Sequence, residues 1–245
     1  MRSDGDAMTR LLISETFGPT IQGEGPSAGR PALFIRLGMC NLDCSWCDTP
    51  FTWDWTGKNG LAYDKRHELS HATVDELLDW VDEHDTSTVV ISGGEPLLQS
   101  ARLAPFVEQL LDNGRNVEVE TNGTLSPTKH LAEYLDRVRW NVSPKLSGSN
   151  VDVTRAENLP VLEQFANIPT AIFKFVITNI GDLLEADELV DTTGMPSDRV
   201  WLMPEGRTGD EITERLPWVI DKAVTRNYNV STRIHVHAYG DRRGV

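Results

Sequence analysis

The chain has 245 residues, of which 39% are hydrophobic and 24% charged, a composition typical of a globular domain with a sizeable core. Its formal net charge of −14 opposes direct binding to nucleic acid, because such binding needs Lys and Arg side chains against the phosphates. No apolar run is long enough to predict a membrane-spanning helix, and the N-terminal sequence lacks the apolar stretch of a signal peptide. We therefore expect a cytoplasmic protein with no membrane and no nucleic-acid partner.

Short strand-like runs alternate with amphipathic helical stretches along the chain. The predicted strands are Ala32–Leu37, Thr88–Ser92, Val117–Thr121, Trp140–Ser143, Ile172–Ile177, Val200–Met203 and Arg233–Ala238. The predicted helices cover residues 74–84, 102–114, 126–138 and 212–227. Thr73 and Glu76 predict a capping box before the first helix, Gly114 predicts the end of the second, and Pro217 predicts a kink in the last.

This alternation predicts an α/β fold in which a parallel sheet, joined by right-handed crossovers, curls into a full or partial barrel. The active site of such a fold lies at the carboxyl ends of the strands. Unusual residues fall at those ends: the cysteines follow the first predicted strand, GGEP (Gly93–Pro96) the second, and SPK (Ser143–Lys145) the fourth. We expect one domain over residues 11–245, a disordered tail over residues 1–10, and an insertion over residues 49–71.

All the cysteines of the chain lie in one short segment, as Cys40, Cys44 and Cys47 in a CxxxCxxC spacing. Thiolates are suited to zinc and to iron–sulfur clusters. A structural zinc site would need a fourth ligand, such as His67 or His71. A 4Fe-4S cluster normally takes four thiolates, so three leave one iron with an open position. Such a position is where a substrate or co-substrate binds, which makes the absent fourth cysteine a functional feature.

The cysteine spacing, together with GGEP after the next predicted strand, resembles the signature of the radical S-adenosylmethionine (SAM) superfamily. The resemblance implies a modified, incomplete TIM-type (β/α) barrel. It also implies that SAM chelates the open iron of a 4Fe-4S cluster and is split to a 5′-deoxyadenosyl radical. That radical abstracts a hydrogen atom from the substrate.

Further motifs narrow the resemblance. They are ETFGPTIQGEG (Glu15–Gly25), CDT (Cys47–Thr49), ISGGEP, VETNGT, NVSPK and the terminal HAYGDRRGV. Together they resemble the 7-carboxy-7-deazaguanine synthase (QueE) family of carbon–nitrogen lyases. The resemblance implies conversion of 6-carboxy-5,6,7,8-tetrahydropterin to 7-carboxy-7-deazaguanine with loss of ammonia, in queuosine-type 7-deazapurine biosynthesis. It also implies Mg²⁺, a homodimer, and an electron donor such as flavodoxin or ferredoxin.

The same resemblance implies roles for individual residues. The cluster ligands are Cys40, Cys44 and Cys47, and Thr49 binds Mg²⁺ through its hydroxyl. The residues implied to contact the substrate are Ile21, Gln22, Gly23, Glu24, Arg36, Ser92 and Val245, with Arg36 on its carboxylate. The residues implied to contact SAM are Gly93, Gly94, Glu95, Glu120, Asn122, Ser143, Pro144, Lys145, Met203, Pro204, Glu205 and Gly206. Lys145 is also implied as an assistant in catalysis.

Some features keep two interpretations. His235 and His237 alternate on the last predicted strand and so face one side, either as a metal pair or, as we expect, as hydrogen-bonded histidines lining the barrel. The tryptophans near the cysteines (Trp46, Trp53 and Trp55) either shield the cluster or pack in the core. Two other functions fit the cysteines. One is a radical SAM activase that generates a glycyl radical on a partner protein, which leaves IQGEG unexplained, and the other is a non-enzymatic zinc-stabilised module.

Overall fold

A computed structural model describes residues 10–245, which form a nine-stranded sheet with helices packed along it. The strands are β1 Arg10–Ile21, β2 Pro31–Leu37, β3 Ser70–Thr73, β4 Thr88–Gly93, β5 Asn116–Thr121, β6 Val138–Val142, β7 Ala171–Ile177, β8 Val200–Pro204 and β9 Asn229–Val230. The helices are α1 Lys65–Glu68, α2 Val74–Asp82, α3 Ser100–Asp112, α4 Val153–Ala156, α5 Leu159–Ala166, α6 Ile180–Thr193, α7 Gly209–Val224 and α8 Ile234–Tyr239. The predicted disorder of residues 1–10 lies outside the described residues, except for Arg10, which begins β1.

The strands follow the spatial order β3-β1-β2-β4-β5-β6-β7-β8-β9. From β2 through β4 to β9 all neighbours are parallel, whereas β1 pairs antiparallel with both β2 and β3. The described sheet ends at β3 and β9, which do not pair with each other, so the barrel is open. The predicted parallel α/β architecture, a modified and incomplete barrel, is confirmed.

Most predicted elements are present with small shifts in their ends. Strands β2 and β4–β8 match six predicted runs to within one or two residues. Thr73 and Glu76 form the predicted capping box of α2, and α3 ends just before Gly114, whose φ of 76° needs the freedom of glycine. Helix α7 continues through Pro217. No helix within the described part of the chain is both long and apolar enough to cross a membrane.

Two predicted elements are wrong. Residues 126–138 form no α-helix and contain only a short 3-10 turn, Leu131–Tyr134. The run Arg233–Ala238 is not a strand but lies largely in helix α8, where Val236 alone is buried. Its apolar residues alternate over so few positions that one turn of helix and a short strand leave the same pattern. Strands β1, β3 and β9 were not predicted.

The core forms between the parallel strands and the helices that cover them. Strand β7 is buried along its whole length, as parallel strands between two packed layers usually are. Trp140 of β6 is fully buried with its ring centroid 5.5 Å from that of Phe165 in α5. This packing fixes the carboxyl ends of the strands relative to one another, so the loops that follow them share one rigid base.

Candidate active site

A cavity of about 250 Å³ opens at the carboxyl ends of the parallel strands. The structure brings to its wall every residue predicted to contact the substrate, the three cysteines and Thr49. All but two of the residues predicted to contact SAM line it as well, the exceptions being Glu95 and Pro144. The cavity therefore brings together nearly all of the predicted site residues, whereas Glu95 and Pro144 do not line it.

Glu95 supports the wall of the cavity instead of lining it. Its carboxylate is fully buried and accepts hydrogen bonds from Leu97 N at 2.9 Å, Thr121 Oγ1 at 2.8 Å and Asn122 N at 2.7 Å. Burial raises the pKa of Glu95 despite these donors. The bonds from Thr121 and Asn122 hold the GGEP turn to the end of β5, and the bond from Leu97 N caps the short 3-10 helix that follows the turn, so Glu95 has a structural role.

The cysteines lie on one loop after β2 and are free thiols. Burial raises the pKa of Cys40 to about 12 and that of Cys44 to about 11, and it also raises the pKa of Cys47. Such thiols keep their protons at neutral pH and are poor nucleophiles, so a reactive free cysteine is disfavoured. A metal would replace those protons on binding.

The residues present fit a 4Fe-4S cluster. Two sulfur atoms already accept N–H donors, Cys40 from Leu42 N at 3.4 Å and Cys47 from Trp53 Nε1 at 3.3 Å, as cluster thiolates commonly do. Among the described residues no three His, Cys, Asp or Glu side chains are grouped as a metal-ion site. A cluster does not need ligands that converge on one ion, since each thiolate binds a different iron.

The glycines of GGEP bring their backbone directly against the cysteine loop. A Cβ atom at Gly94 would lie 1.9 Å from the carbonyl oxygen of Met39, and one at Gly93 would lie 2.1 Å from that of Leu37. Glu95 N donates to Met39 O at 2.8 Å. Only glycine permits this approach, so the motif sets the distance between the two loops.

The two oxygen-bearing side chains after Cys47 have different surroundings. Thr49 Oγ1 faces the cavity, 3.7 Å from Cys47 Sγ and 3.5 Å from the carbonyl oxygen of Gly93. Asp48 instead forms an ion pair with Arg233. Burial acts to raise the pKa of Asp48, but Arg233, together with Arg36 and His235, outweighs it and lowers that pKa. The carboxylate is therefore ionised and already has a partner.

Arg36 also lines the cavity and is held by neighbouring side chains. Its Nε donates to Glu15 Oε1 at 2.7 Å, and its guanidinium lies 5.3 Å from the ring centroid of Phe17. Arg243 donates to the other oxygen of Glu15 at 2.8 Å and lies 3.8 Å from the ring centroid of Phe51. The segment that carries Val245 is thereby fixed to the rim.

A network of buried charges forms the base of the cavity, and two of its members, Lys174 and Arg233, were not predicted from the sequence. Lys174 Nζ lies 2.5 Å from Glu24 Oε2 and 3.1 Å from Glu120 Oε2. Arg233 Nε donates to Glu24 Oε1 at 2.8 Å. Gln22 Nε2 donates to Glu120 Oε1 at 3.2 Å. The available signal for Lys174 was a lone charge in the apolar run IFKFVI.

The pKa values follow from this arrangement. Burial acts to raise the pKa of Glu24, but Lys174 and Arg233 outweigh it and hold that pKa far below its usual range. Burial also raises the pKa of Glu120, and there the nearby Lys174 does not fully compensate. Burial alone would lower the pKa of Lys174, whereas Glu120 and Glu24 together raise it. The cavity base therefore holds a permanent cation between two carboxyl groups of unequal acidity.

His235 and His237 do not face one side as predicted, because both residues lie in helix α8 and not in a strand. Two positions apart on a helix, they point in different directions. His235 lines the cavity, and a Cβ at Gly23 would lie 1.8 Å from its Nδ1, so the glycine of IQGEG makes room for it. His237 Nε2 lies 3.0 Å from Thr232 Oγ1, outside the cavity. Burial lowers the pKa of His235, which leaves the ring neutral at pH 7.

Of the remaining residues near the cysteines, some line the cavity and others lie outside it. Lys145 Nζ donates to both the carbonyl and the hydroxyl oxygen of Ser143 at 2.8 Å and lies 5.5 Å from the ring centroid of Trp46. Trp46 and Trp53 line the cavity, whereas Trp55 lies outside it under Lys65. The shielding role considered for the tryptophans thus fits Trp46 and Trp53.

Comparison with known proteins places this site in a family. The sequence matches the family model of the radical SAM superfamily over residues 35–187. It is 34% identical to the 7-carboxy-7-deazaguanine synthase of Pyrobaculum aerophilum, covering 97% of this chain and 99% of that protein. It is 37% identical to that of Hyperthermus butylicus, covering 93% and 92%. The crystal structure of QueE from Escherichia coli superposes with a TM-score of 0.66 at 26% identity, covering 96% of this chain and 100% of that chain.

The chain therefore belongs to the radical SAM superfamily, whose members use a 4Fe-4S cluster and SAM. Within that superfamily it belongs to the 7-carboxy-7-deazaguanine synthase family, which it matches over almost its whole length. Both the fold and the recognition from the motifs are confirmed. These relationships favour the synthase over the glycyl-radical activase and the zinc-stabilised module.

Proposed function

We propose that this chain is a 7-carboxy-7-deazaguanine synthase. It converts 6-carboxy-5,6,7,8-tetrahydropterin to 7-carboxy-7-deazaguanine with loss of ammonia. The observation that carries the proposal is the composition of one cavity. Three thiols in the radical SAM spacing, the IQGEG stretch and Arg36 all line it. The product, 7-carboxy-7-deazaguanine, would then enter 7-deazapurine biosynthesis of the queuosine type.

The residues for the cofactors follow from the same cavity. Cys40, Cys44 and Cys47 would hold the cluster, and Gly93, Gly94, Ser143 and Lys145 would contact SAM. When bound, the cluster and SAM supply a radical that abstracts a hydrogen atom from the substrate. Lys145 is fixed by Ser143, so its ammonium group is available to a carboxylate or ribose oxygen of SAM without a large loss of side-chain entropy.

Arg36 would bind the carboxylate of the substrate. Its Nε is occupied by Glu15, and no group among residues 10–245 is bonded to its terminal nitrogens. A guanidinium held in this way presents two parallel N–H groups to a carboxylate, which is a strong and directional arrangement. At the cavity base, Gln22, Glu24 and Glu120 offer acceptors and a donor that suit the N–H and amide edge of a pterin.

Thr49 would bind Mg²⁺ through its hydroxyl, with water and substrate oxygens completing the octahedron. The pairing of Asp48 with Arg233 supports this assignment, because the stronger hard ligand next to Thr49 is already neutralised. We further propose a homodimer that receives electrons from flavodoxin or ferredoxin. Its location would be the cytoplasm, where reducing conditions keep the three thiols free.

The test is an anaerobic assay with the carboxytetrahydropterin, SAM and a low-potential reductant, read by mass spectrometry. We expect 7-carboxy-7-deazaguanine and ammonia to form without a protein partner. Iron and sulfide should be present at about four of each per chain. A Cys44→Ala variant should lose cluster and turnover. Protein that contains zinc without iron, or a Cys44→Ala variant with normal turnover, would refute the proposal.

A further inference from the structure

Residues 49–71, predicted as an insertion, include a compact turn built around a buried carboxylate. Asp54 is 1% exposed and accepts backbone N–H groups from Gly57 at 2.9 Å, Lys58 at 2.9 Å and Asn59 at 2.7 Å. Three charge-assisted bonds to consecutive residues hold this turn in one conformation. The residue beside Asp54, Trp53, is thereby fixed at its backbone.

The same segment is bonded to the cysteine loop at two points. Met39 N, next to Cys40, donates to the carbonyl oxygen of Thr52 at 2.8 Å. Asn59 Nδ2 donates to the carbonyl oxygen of Cys44 at 2.9 Å. Trp53 lies between these two points in the sequence. The segment is therefore a frame for the cysteine loop, and the position of Trp53 relative to the cysteines is set by backbone contacts on both sides.

Two indoles face the cysteines, and they differ in one respect. Trp53 Nε1 donates to Cys47 Sγ at 3.3 Å, whereas Trp46 Nε1 is buried and bonded to no described residue. We infer that Trp53 tunes the redox potential of the cluster by donating its indole N–H to the sulfur of Cys47. This inference rests on the proposed function, since it takes Cys47 to be a cluster ligand.

The direction of the effect follows from charge. One-electron reduction adds a negative charge to the cluster, part of which resides on its thiolate sulfurs. The N–H···S hydrogen bond is consequently stronger in the reduced form and favours it, so the potential becomes less negative. Because the bond lies in a partly buried cavity, water competes little for either partner. A radical SAM enzyme gains from this, since its donor then reduces the cluster more completely.

The experiment compares Trp53→Phe with Trp46→Phe in the reconstituted protein. Both changes keep an aromatic ring beside the cluster, but only the first removes an N–H bonded to sulfur. The midpoint potential of the cluster is measured by an anaerobic redox titration followed by electron paramagnetic resonance. For Trp53→Phe we expect about a tenfold less favourable reduction constant, which corresponds to a potential about 59 mV more negative.

The Trp46→Phe potential should stay close to that of the unchanged protein. An unchanged potential in Trp53→Phe with full iron and sulfide content, or an equal shift in both variants, would overturn the inference. Protein without iron in its unchanged form would instead refute the proposed cluster itself, so the two failures are distinguishable.

A second measurement does not depend on Trp53→Phe retaining its cluster. The Trp46→Phe protein is labelled with ¹⁵N at the indole nitrogens and reduced without SAM. Pulsed electron paramagnetic resonance should then detect a ¹⁵N coupling to the cluster, transmitted through the N–H···S bond. The coupling would come from Trp53, because Trp55 lies outside the cavity and no other labelled indole faces the cysteines. Its absence at full cluster content would overturn the inference.

Discussion

A single side chain, Arg36, shows how the cavity prepares a group before any ligand arrives. Glu15 binds its Nε at 2.7 Å, and the aromatic rings of Phe17 and Phe51 lie within 5.3 Å and 5.8 Å of the guanidinium. The plane of the guanidinium is therefore fixed by three neighbours. An arginine held in this way loses little entropy when it binds a carboxylate, and its terminal nitrogens remain available.

We expect Arg36→Lys and Arg36→Ala to weaken pterin binding similarly, because lysine is a point charge and cannot reproduce the fork. Losing a hydrogen bond to a charged group should cost about 1.5–3 kcal/mol. SAM binding and cluster content should not change, since Arg36 forms no hydrogen bond with the cysteines or with the residues proposed to contact SAM. Isothermal titration calorimetry with the pterin and SAM separately is the measurement. Normal pterin affinity in Arg36→Ala would show that this arginine only supports the wall.

Thr49 and Asp48 allow a comparison at adjacent positions. Thr49→Val keeps the shape but removes the oxygen, so we expect most Mg²⁺ stimulation to disappear while cluster and SAM binding persist. Asp48→Asn should alter that stimulation much less, because the carboxylate is paired with Arg233. The measurement is turnover against Mg²⁺ concentration for the three proteins. If Asp48→Asn abolishes the response and Thr49→Val retains it, the carboxylate is the metal ligand.

At the scale of elements, the segment after α8 returns to the first strand of the sheet. Arg243 donates to Glu15 in β1 and, at 2.7 Å, to Glu68 in α1, and its guanidinium lies over Phe51. Glu15 is thus shared between Arg243 and Arg36. Arg243 therefore joins the terminal segment to the frame of residues 49–71 and, through Glu15, to Arg36, so loosening the segment should also loosen Arg36.

We therefore expect Arg243→Gln to raise KM for the pterin about five- to thirty-fold, as a loss of about 1–2 kcal/mol implies. That loss is small because the ion pairs are partly exposed to solvent, although the contact with Phe51 adds to them. Arg242→Gln is the matched control, since Arg242 is exposed and forms no hydrogen bond or ion pair with the described residues. Initial rates over a range of pterin concentrations give KM, and SAM affinity should not move. Equal effects in both variants would argue for a general loss of charge.

The limits of prediction from sequence are also clearest at this scale. Apolar runs such as Ile172–Ile177 predict buried parallel strands well, because burial on both faces leaves few polar residues. Strand β1 was missed because most of its length is only partly buried and lacks that pattern. The Arg233–Ala238 error hid Arg233, whose role depends on its closeness in space to Glu24 and Asp48. The motifs located the cavity, whereas the ion pairs between distant residues carried no local signal.

At the scale of the whole molecule, the buried charges join distant parts of the barrel. Lys174 in β7 binds Glu120 at the end of β5 and Glu24 just after β1. It is 5% exposed, so these charges stabilise one another mostly without water. Buried pairs of this kind add little compared with an apolar core, but removing one partner leaves an uncompensated charge and is costly. The network thus fixes β5, β7 and the loop after β1 relative to one another.

We expect Lys174→Met to lower the free energy of unfolding by about 3–5 kcal/mol at pH 8. Without Lys174, burial should raise the pKa of Glu120 further above its unfolded value. A carboxyl whose pKa is higher in the folded protein than in the unfolded chain favours the fold while it is protonated. This contribution is complete below the pKa of the unfolded chain and is lost as the pH rises through the pKa of the folded protein. The deficit should therefore shrink towards pH 5. Denaturant unfolding at pH 5 and pH 8 measures it, with exposed Lys129→Met as the control. A deficit independent of pH would mean that lost packing, and not the unpaired carboxylate, destabilises the variant.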